Sequence, residues 1–172
     1  PSAFVSDILD QLSNEQLVGK KIISAIKGVE PNSLKIVGEY LFENKGVSQD
    51  DFGVITGPCH AEEVAQEKLS YLTFASTNAV FCEKMCVALD CDYIKVTPSA
   101  DIYGTEISAV LKNVYAIAVG ICHSLGYGDN FQAVLVSNAI REIKRFIAAV
   151  HPIDRDADDS AYLGDLLVTA YS

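Results

Sequence analysis

Four short runs rich in β-branched and apolar residues, each followed by a helix-like stretch or a turn, constrain this chain most. The runs are Lys21 to Ile26, Phe52 to Thr56, Tyr71 to Ser76 and Tyr93 to Thr97. Their length and their turn-forming borders (Lys27-Gly28, Gly57-Pro58, Pro98) read as strands. Between them, Glu30 to Glu43 with Pro31 near its start, Ala61 to Lys68, and Asn78 to Leu89 read as helices. On the last of these Val80, Met85 and Leu89 share a side. Alternation of this kind implies a sheet with covering helices. Strand direction is left open, and the last pair could be antiparallel.

The pattern changes around Ser99 to Gly104. From Thr105 onward no strand-like run occurs. Glu106 to Leu125 and Asn130 to Val150 read as long helices. Gly126 to Asn130 forms the turn between them, with Asn130 suited to cap the second. His151 to Ser160 is polar, acidic and loop-like, and Leu163 to Ala170 is again helical in character. The expected fold class is α/β followed by all-α, with one part over residues 1–98 and another over 99–172.

Composition narrows the partners. A formal net charge of −10 argues against nucleic-acid binding, which needs a Lys/Arg surface. A small phosphorylated ligand needs only a few local donors and stays possible. Five cysteines and no recognisable signal peptide suggest reduced thiols in a cytoplasmic protein. The spacing of Cys82, Cys86 and Cys91 matches no common zinc or iron–sulfur pattern, so no metal is expected. No apolar run is expected to reach the length of a membrane span.

Candidate chemistry begins with one charge. From Ile107 through Cys122 the sole charged residue is Lys112. The apolar residues around it predict a helix buried on most sides. A lysine there either snorkels to solvent or is held by partners that tune its proton affinity. Asn113 adds a two-way hydrogen-bonding group. Lys27-Gly28 follows a strand, where open sheets bind ligands, or is a solvated strand end. Gly57-Pro58-Cys59-His60-Ala61 joins a strand to a helix, as an anion-binding turn or as a plain connection; His60 reads as a turn residue. Asp165 is either a helix cap or a carboxylate that holds a lysine. Neither G-x-G-x-x-G in a strand-to-helix turn nor G-x-x-x-x-G-K-[ST] occurs.

Taken in order, these segments resemble the NAD(P)-dependent glycerol-3-phosphate dehydrogenases of bacterial type. The similarity is carried by Lys27-Gly28, Gly57 to Ala61 with Glu62-Glu63-Val64-Ala65, Leu111 to Gly120, Gly126 to Asn130, and Gly164 to Thr169. Cys59 stands where that family carries Ser or Thr, and His60 where it carries Phe. The resemblance implies the later part of a Rossmann-like domain followed by the start of a helical domain. It implies reversible oxidation of sn-glycerol 3-phosphate to dihydroxyacetone phosphate with NAD or NADP, within glycerol-3-phosphate metabolism and phospholipid biosynthesis. Lys112 would be the catalytic acid/base. Lys27, Gly57, Cys59, Asn113, Asp165 and Thr169 would contact substrate, and Lys27 and Ala61 the cofactor. The family's dinucleotide fingerprint would lie before Pro1, and its Ser-Arg-Asn motif after Ser172. A piece with these bounds is expected to be inactive alone, and a homodimer is possible. The alternatives are a related two-domain hydroxy-acid dehydrogenase and a non-enzymatic binding or assembly module.

Overall fold

A computed structural model describes residues 1–156 and 159–171. Two short helices, α1 (Val5–Leu9) and α2 (Asn14–Leu17), precede strand β1 (Ile22–Ser24). Helix α3 (Val37–Asn44) leads to β2 (Phe52–Thr56), and the one-turn α4 (Ala61–Val64) to β3 (Ser70–Ala75). Helix α5 (Ala79–Leu89) leads to β4 (Ile94–Ser99). The strands form one sheet in chain order. β1 pairs with β2 in parallel, β2 with β3 antiparallel, and β3 with β4 in parallel. The reversed pair is thus the middle one, not the last. Parallel neighbours need a crossover that carries the chain back along the sheet. α3 and α5 supply one, whereas the single turn of α4 does not.

Several boundaries differ from those the sequence predicts, each for a local reason. The helix expected from Glu30 begins only at Val37. Glu30 accepts hydrogen bonds from the amides of Asn32 and Ser33 and from the Ser33 hydroxyl, which ties residues 30–33 into a turn. Leu34 then takes φ +58, outside the helical region. Helix α4 stops at Val64 instead of Lys68, and Glu67 lies at φ +56. β4 runs through Pro98, expected to end it; β4 is an edge strand, where a missing N–H donor is tolerated. On α5 it is Phe81 and Cys82 that are buried against Phe74, while Val80 is exposed.

Beyond the sheet, α6 (Ile102–Ser124) is capped by Asp101, whose carboxylate accepts the Gly104 amide. Helix α7 (Asp129–Val150) is capped at Gly128 with no side-chain bond, so Asn130 lies inside the helix and does not cap it. The expected loop at 151–160 lies partly outside the described residues. A π-helical turn (Ser160–Gly164) then opens into α8 (Asp165–Ala170). Apolar burial falls into separate groups. Val37, Leu41, Phe52, Val54 and Ile102 fill the space on one side of the sheet. Val119, Ile143, Ile147, Tyr162 and Leu166 join α6, α7 and α8.

Two expectations about α6 fail. Its 23 residues are long and apolar enough to cross a membrane by length and composition. It is also not buried on most sides: Val114, Ile117 and Ile121 are 58%, 65% and 56% exposed. Burial is concentrated in its first half, which includes Glu106 and Lys112, and in the second half it is kept up by Val119.

Candidate active site

β1 and β2 are parallel, so their carboxyl ends open on the same edge of the sheet. Thr56 is the last residue of β2, and Lys27 follows β1 by three residues. The buried half of α6 and the start of α8 close over this edge. Lys112 is 4% exposed and reaches across to Asp165, with Nζ 2.5 Å from Oδ1. The other carboxylate oxygen accepts the Thr56 hydroxyl at 2.9 Å and lies 3.4 Å from Lys27 Nζ. One carboxylate, itself 2% exposed, therefore gathers two ammonium groups and a hydroxyl from three other segments, α6, the stretch after β1 and the end of β2.

Electrostatics follows from burial. Desolvation disfavours the Lys112 ammonium and pulls its pKa down from the usual lysine range to about 8. The Asp165 carboxylate pulls it back up, and Lys27 adds to the lowering. The cluster is open on the Lys27 side, whose side chain is 35% exposed. Asn113 is half-buried there, its amide 3.5 Å from the Lys27 carbonyl. The half-buried Cys59 thiol lies within electrostatic reach of Lys27 and Asp165; burial raises its pKa, and Ser70 partly offsets this. Gly57 sits at φ +131, and a Cβ there would lie 2.6 Å from the Tyr71 carbonyl oxygen. Only glycine makes this sharp exit from β2 without strain.

Lys27, Lys112, Asn113 and Asp165 thus meet, with Cys59 beside them. The two readings of Asp165 resolve: it begins α8, but its carboxylate is committed to Lys112, Lys27 and Thr56. Two other predicted residues lie apart from the cluster. Ala61 opens α4 on an exposed turn, with His60 preceding it. Thr169 donates its hydroxyl to the Asp165 carbonyl at 2.7 Å and so stabilises α8 from within.

The sequence reading missed Thr56, whose signal is a polar residue ending an apolar strand. It also missed Glu106, an acid on the same helix as Lys112 and 2% exposed. A further cluster pins the segment after α7. Arg155 Nε donates to Asp101 Oδ2 at 2.7 Å, and the Tyr162 hydroxyl donates to the same oxygen at 2.7 Å.

A parallel-strand edge with a buried lysine and its carboxylate, roofed by helices, is the edge at which α/β proteins of many classes bind their ligands. Comparison with known proteins specifies which. Residues 1–82 match the model of the NAD-dependent glycerol-3-phosphate dehydrogenase N-terminus, and residues 101–172 that of its C-terminus. The chain belongs to this family. It is 34% identical over 175 residues to a glycerol-3-phosphate dehydrogenase (NAD(P)+) of Oceanobacillus iheyensis, with all of this chain and 50% of the relative covered. A protein of the same name from Ectopseudomonas mendocina is 35% identical over 173 residues, again with 100% of this chain and 50% of the relative covered. The chain thus spans about half the length of the curated relatives it matches. Among solved structures, the glycerol-3-phosphate dehydrogenase of Coxiella burnetii superposes with a TM-score of 0.88 at 27% identity, covering 99% of this chain and 51% of that one. The Dunaliella salina structure gives 0.90 at 27% identity, covering 99% and 33%.

Proposed function

We propose that the complete protein interconverts sn-glycerol 3-phosphate and dihydroxyacetone phosphate with NAD or NADP, and that Lys112 carries the proton. The observation that supports this most is the buried Lys112–Asp165 contact at the edge where β1 and β2 end. In oxidation, neutral Lys112 Nζ takes the proton of the C2 hydroxyl as C2 gives up its hydride. In reduction, the same nitrogen, protonated, returns the proton to the carbonyl oxygen. The bound nicotinamide supplies the hydride acceptor or donor. Asp165 orients the Lys112 amine and keeps its proton affinity from falling further, and Thr56 holds Asp165. With Lys112 protonated, as the reduction direction requires, two ammonium groups against one carboxylate leave a positive excess, which suits the anionic dihydroxyacetone phosphate. Lys27 and Asn113, on the open side, bind substrate oxygens, and Gly57 and Cys59 flank them. Thr169, through its contact with the Asp165 carbonyl, supports the carboxylate from behind.

These residues fit one end of the cofactor only. Lys27 and the turn from Gly57 to Ala61 would hold the nicotinamide end. The chain has no glycine-rich strand-to-helix turn to cradle a pyrophosphate. Residues 1–98 would then belong to the cofactor domain and residues 99–172 to the helical substrate domain. The apolar core of α6, α7 and α8 draws its buried residues from 119–166 alone and supports that division, while Ile102 of α6 packs into the core beside the sheet. The five free thiols support a reducing, cytoplasmic setting, and the exposed Val114, Ile117 and Ile121 support self-association, which sedimentation would read.

The decisive experiment is Lys112→Met in the complete protein. Turnover is expected to fall by about 10²–10⁴-fold, the range of general acid–base catalysis. Hydride transfer within about tenfold of the unaltered protein would remove Lys112 from that role. Assaying glycerol 3-phosphate beside short hydroxy acids checks the substrate.

A further inference from the structure

Lys27 and Lys112 meet at Asp165 although they belong to different layers, one following the sheet and the other on α6. Something must hold the layers in register. Val37 and Gly38, the first two residues of α3, are buried, and the N-cap Ile36 offers their amides no side-chain cap. Glu106 of α6 fills that role from across the interface. Its Oε2 accepts the Gly38 amide at 3.0 Å, and the Val37 amide faces the same carboxylate. The approach is so close that a Cβ on residue 38 would lie 2.8 Å from that oxygen. The other oxygen, Oε1, is buried and has no hydrogen-bond partner among the described residues. An acid this deep, held by one helix terminus with half its carboxyl unanswered, is costly to keep unless its position matters.

We propose that Glu106 is a positioning residue: by tying the N-terminus of α3 to α6 it sets Lys112 against Asp165 and Lys27. It lies six residues before Lys112, about 9 Å along the same helix. α3 in turn is joined to Lys27 by the short segment that Glu30 folds and that the Val29–Ile36 bridge closes. The tether therefore connects the two ends of the lysine pair. The titratable groups within electrostatic reach of it are Glu39 of α3 and Tyr103 of α6, and the Phe42 and Phe52 rings flank Gly38, whose amide it accepts. No lysine or arginine pairs with it among the described residues, so its grip is the hydrogen bond and the helix end, not an ion pair.

The inference rests on the acid/base reading of Lys112 for its catalytic meaning, so the test needs a readout that does not depend on turnover. Competitive acetylation of the complete protein with acetic anhydride across pH, read by peptide mass spectrometry, reports the reactivity and apparent pKa of Lys112 directly. Glu106→Gln keeps an oxygen for the Gly38 amide and is expected to leave Lys112 labelling within about twofold. Glu106→Ala removes it and is expected to raise the limiting labelling of the fully deprotonated Lys112 amine by about fivefold or more as that amine becomes exposed, while the apparent pKa rises toward the ordinary lysine value. Glu106→Asp, one methylene too short to reach the amide, is expected to behave as Glu106→Ala and carries the test if the alanine variant does not fold. Wild-type labelling in a folded Glu106→Asp or Glu106→Ala protein overturns the proposal. So does a folded Glu106→Gln variant whose labelling rises as far as that of Glu106→Asp. Altered labelling together with normal turnover in Lys112→Met would uphold the tether and instead defeat the acid/base reading.

Discussion

Lys112 and Glu106 occupy one helix and respond to burial in opposite senses. Desolvation disfavours the charged form of each, so the lysine pKa falls and the carboxyl pKa rises. For Lys112 this has a kinetic consequence. On the proposed mechanism, oxidation of glycerol 3-phosphate by the complete protein uses the neutral amine, so its kcat/KM is expected to rise with pH and level off above about 8. Reduction needs the ammonium and is expected to fall over the same range; a flat profile in both directions would contradict the assignment. For Glu106 the consequence is thermodynamic. Its folded pKa of about 7 exceeds the ordinary 4.5, so the native state holds a proton that the unfolded chain has released. Stability is therefore highest below pH 4.5 as far as this group is concerned, and is lost as pH rises through 7, by up to about 3 kcal/mol. Urea unfolding at pH 5 and pH 8 should show that loss in the wild type and not in Glu106→Gln. The lone lysine was visible in the sequence because charge is rare in so apolar a stretch. Glu106 was hidden by its place at the predicted start of the helix, where an acid needs no explanation.

Among the elements, α6 shows best how a cap and a tether divide the work. Asp101 caps its start and also holds Arg155 and Tyr162, so one carboxylate fixes the helix and the segment that follows α7. The pair is buried, with Arg155 and Asp101 side chains 8% and 7% exposed. Removing one partner of such a pair leaves a charge without its counter-charge. Arg155→Met is expected to destabilise the fold by about 3 kcal/mol, measured by urea unfolding; a change below about 0.5 kcal/mol would show that the pair contributes no net stability. Long helices were legible as elements, since α6 and α7 sustain an apolar pattern over many turns. Short ones were not. Val37–Asn44 lost its first residues to the Glu30 turn, a competition between a side chain and the helix for the same amides that propensity does not record.

For the molecule as a whole, the site exists because two layers meet. The sheet brings the ends of β1 and β2 to one edge, and the helices bring Lys112 and Asp165 onto it. Residues 1–172 alone supply that meeting but no pyrophosphate cradle. Calorimetry on this stretch by itself is expected to find NADH binding weaker than micromolar, since a dissociation constant of 1 μM corresponds to about 8 kcal/mol, which contacts at one end of the cofactor are not expected to supply. The amino-acid order by itself determined that a sheet-forming half precedes a helical half, and that a lysine lies alone in an apolar helix. Both are written in local periodicity and composition, which act within a few residues. It also placed Lys27, Asn113 and Asp165 as candidates, through motifs. What only the tertiary structure decided was their company. That Asp165 serves as a carboxylate and not as a cap, that Thr56 joins it, and that β2 and β3 run antiparallel all depend on contacts between residues far apart in the chain. Such contacts are settled by how layers pack, and no window of sequence contains both partners.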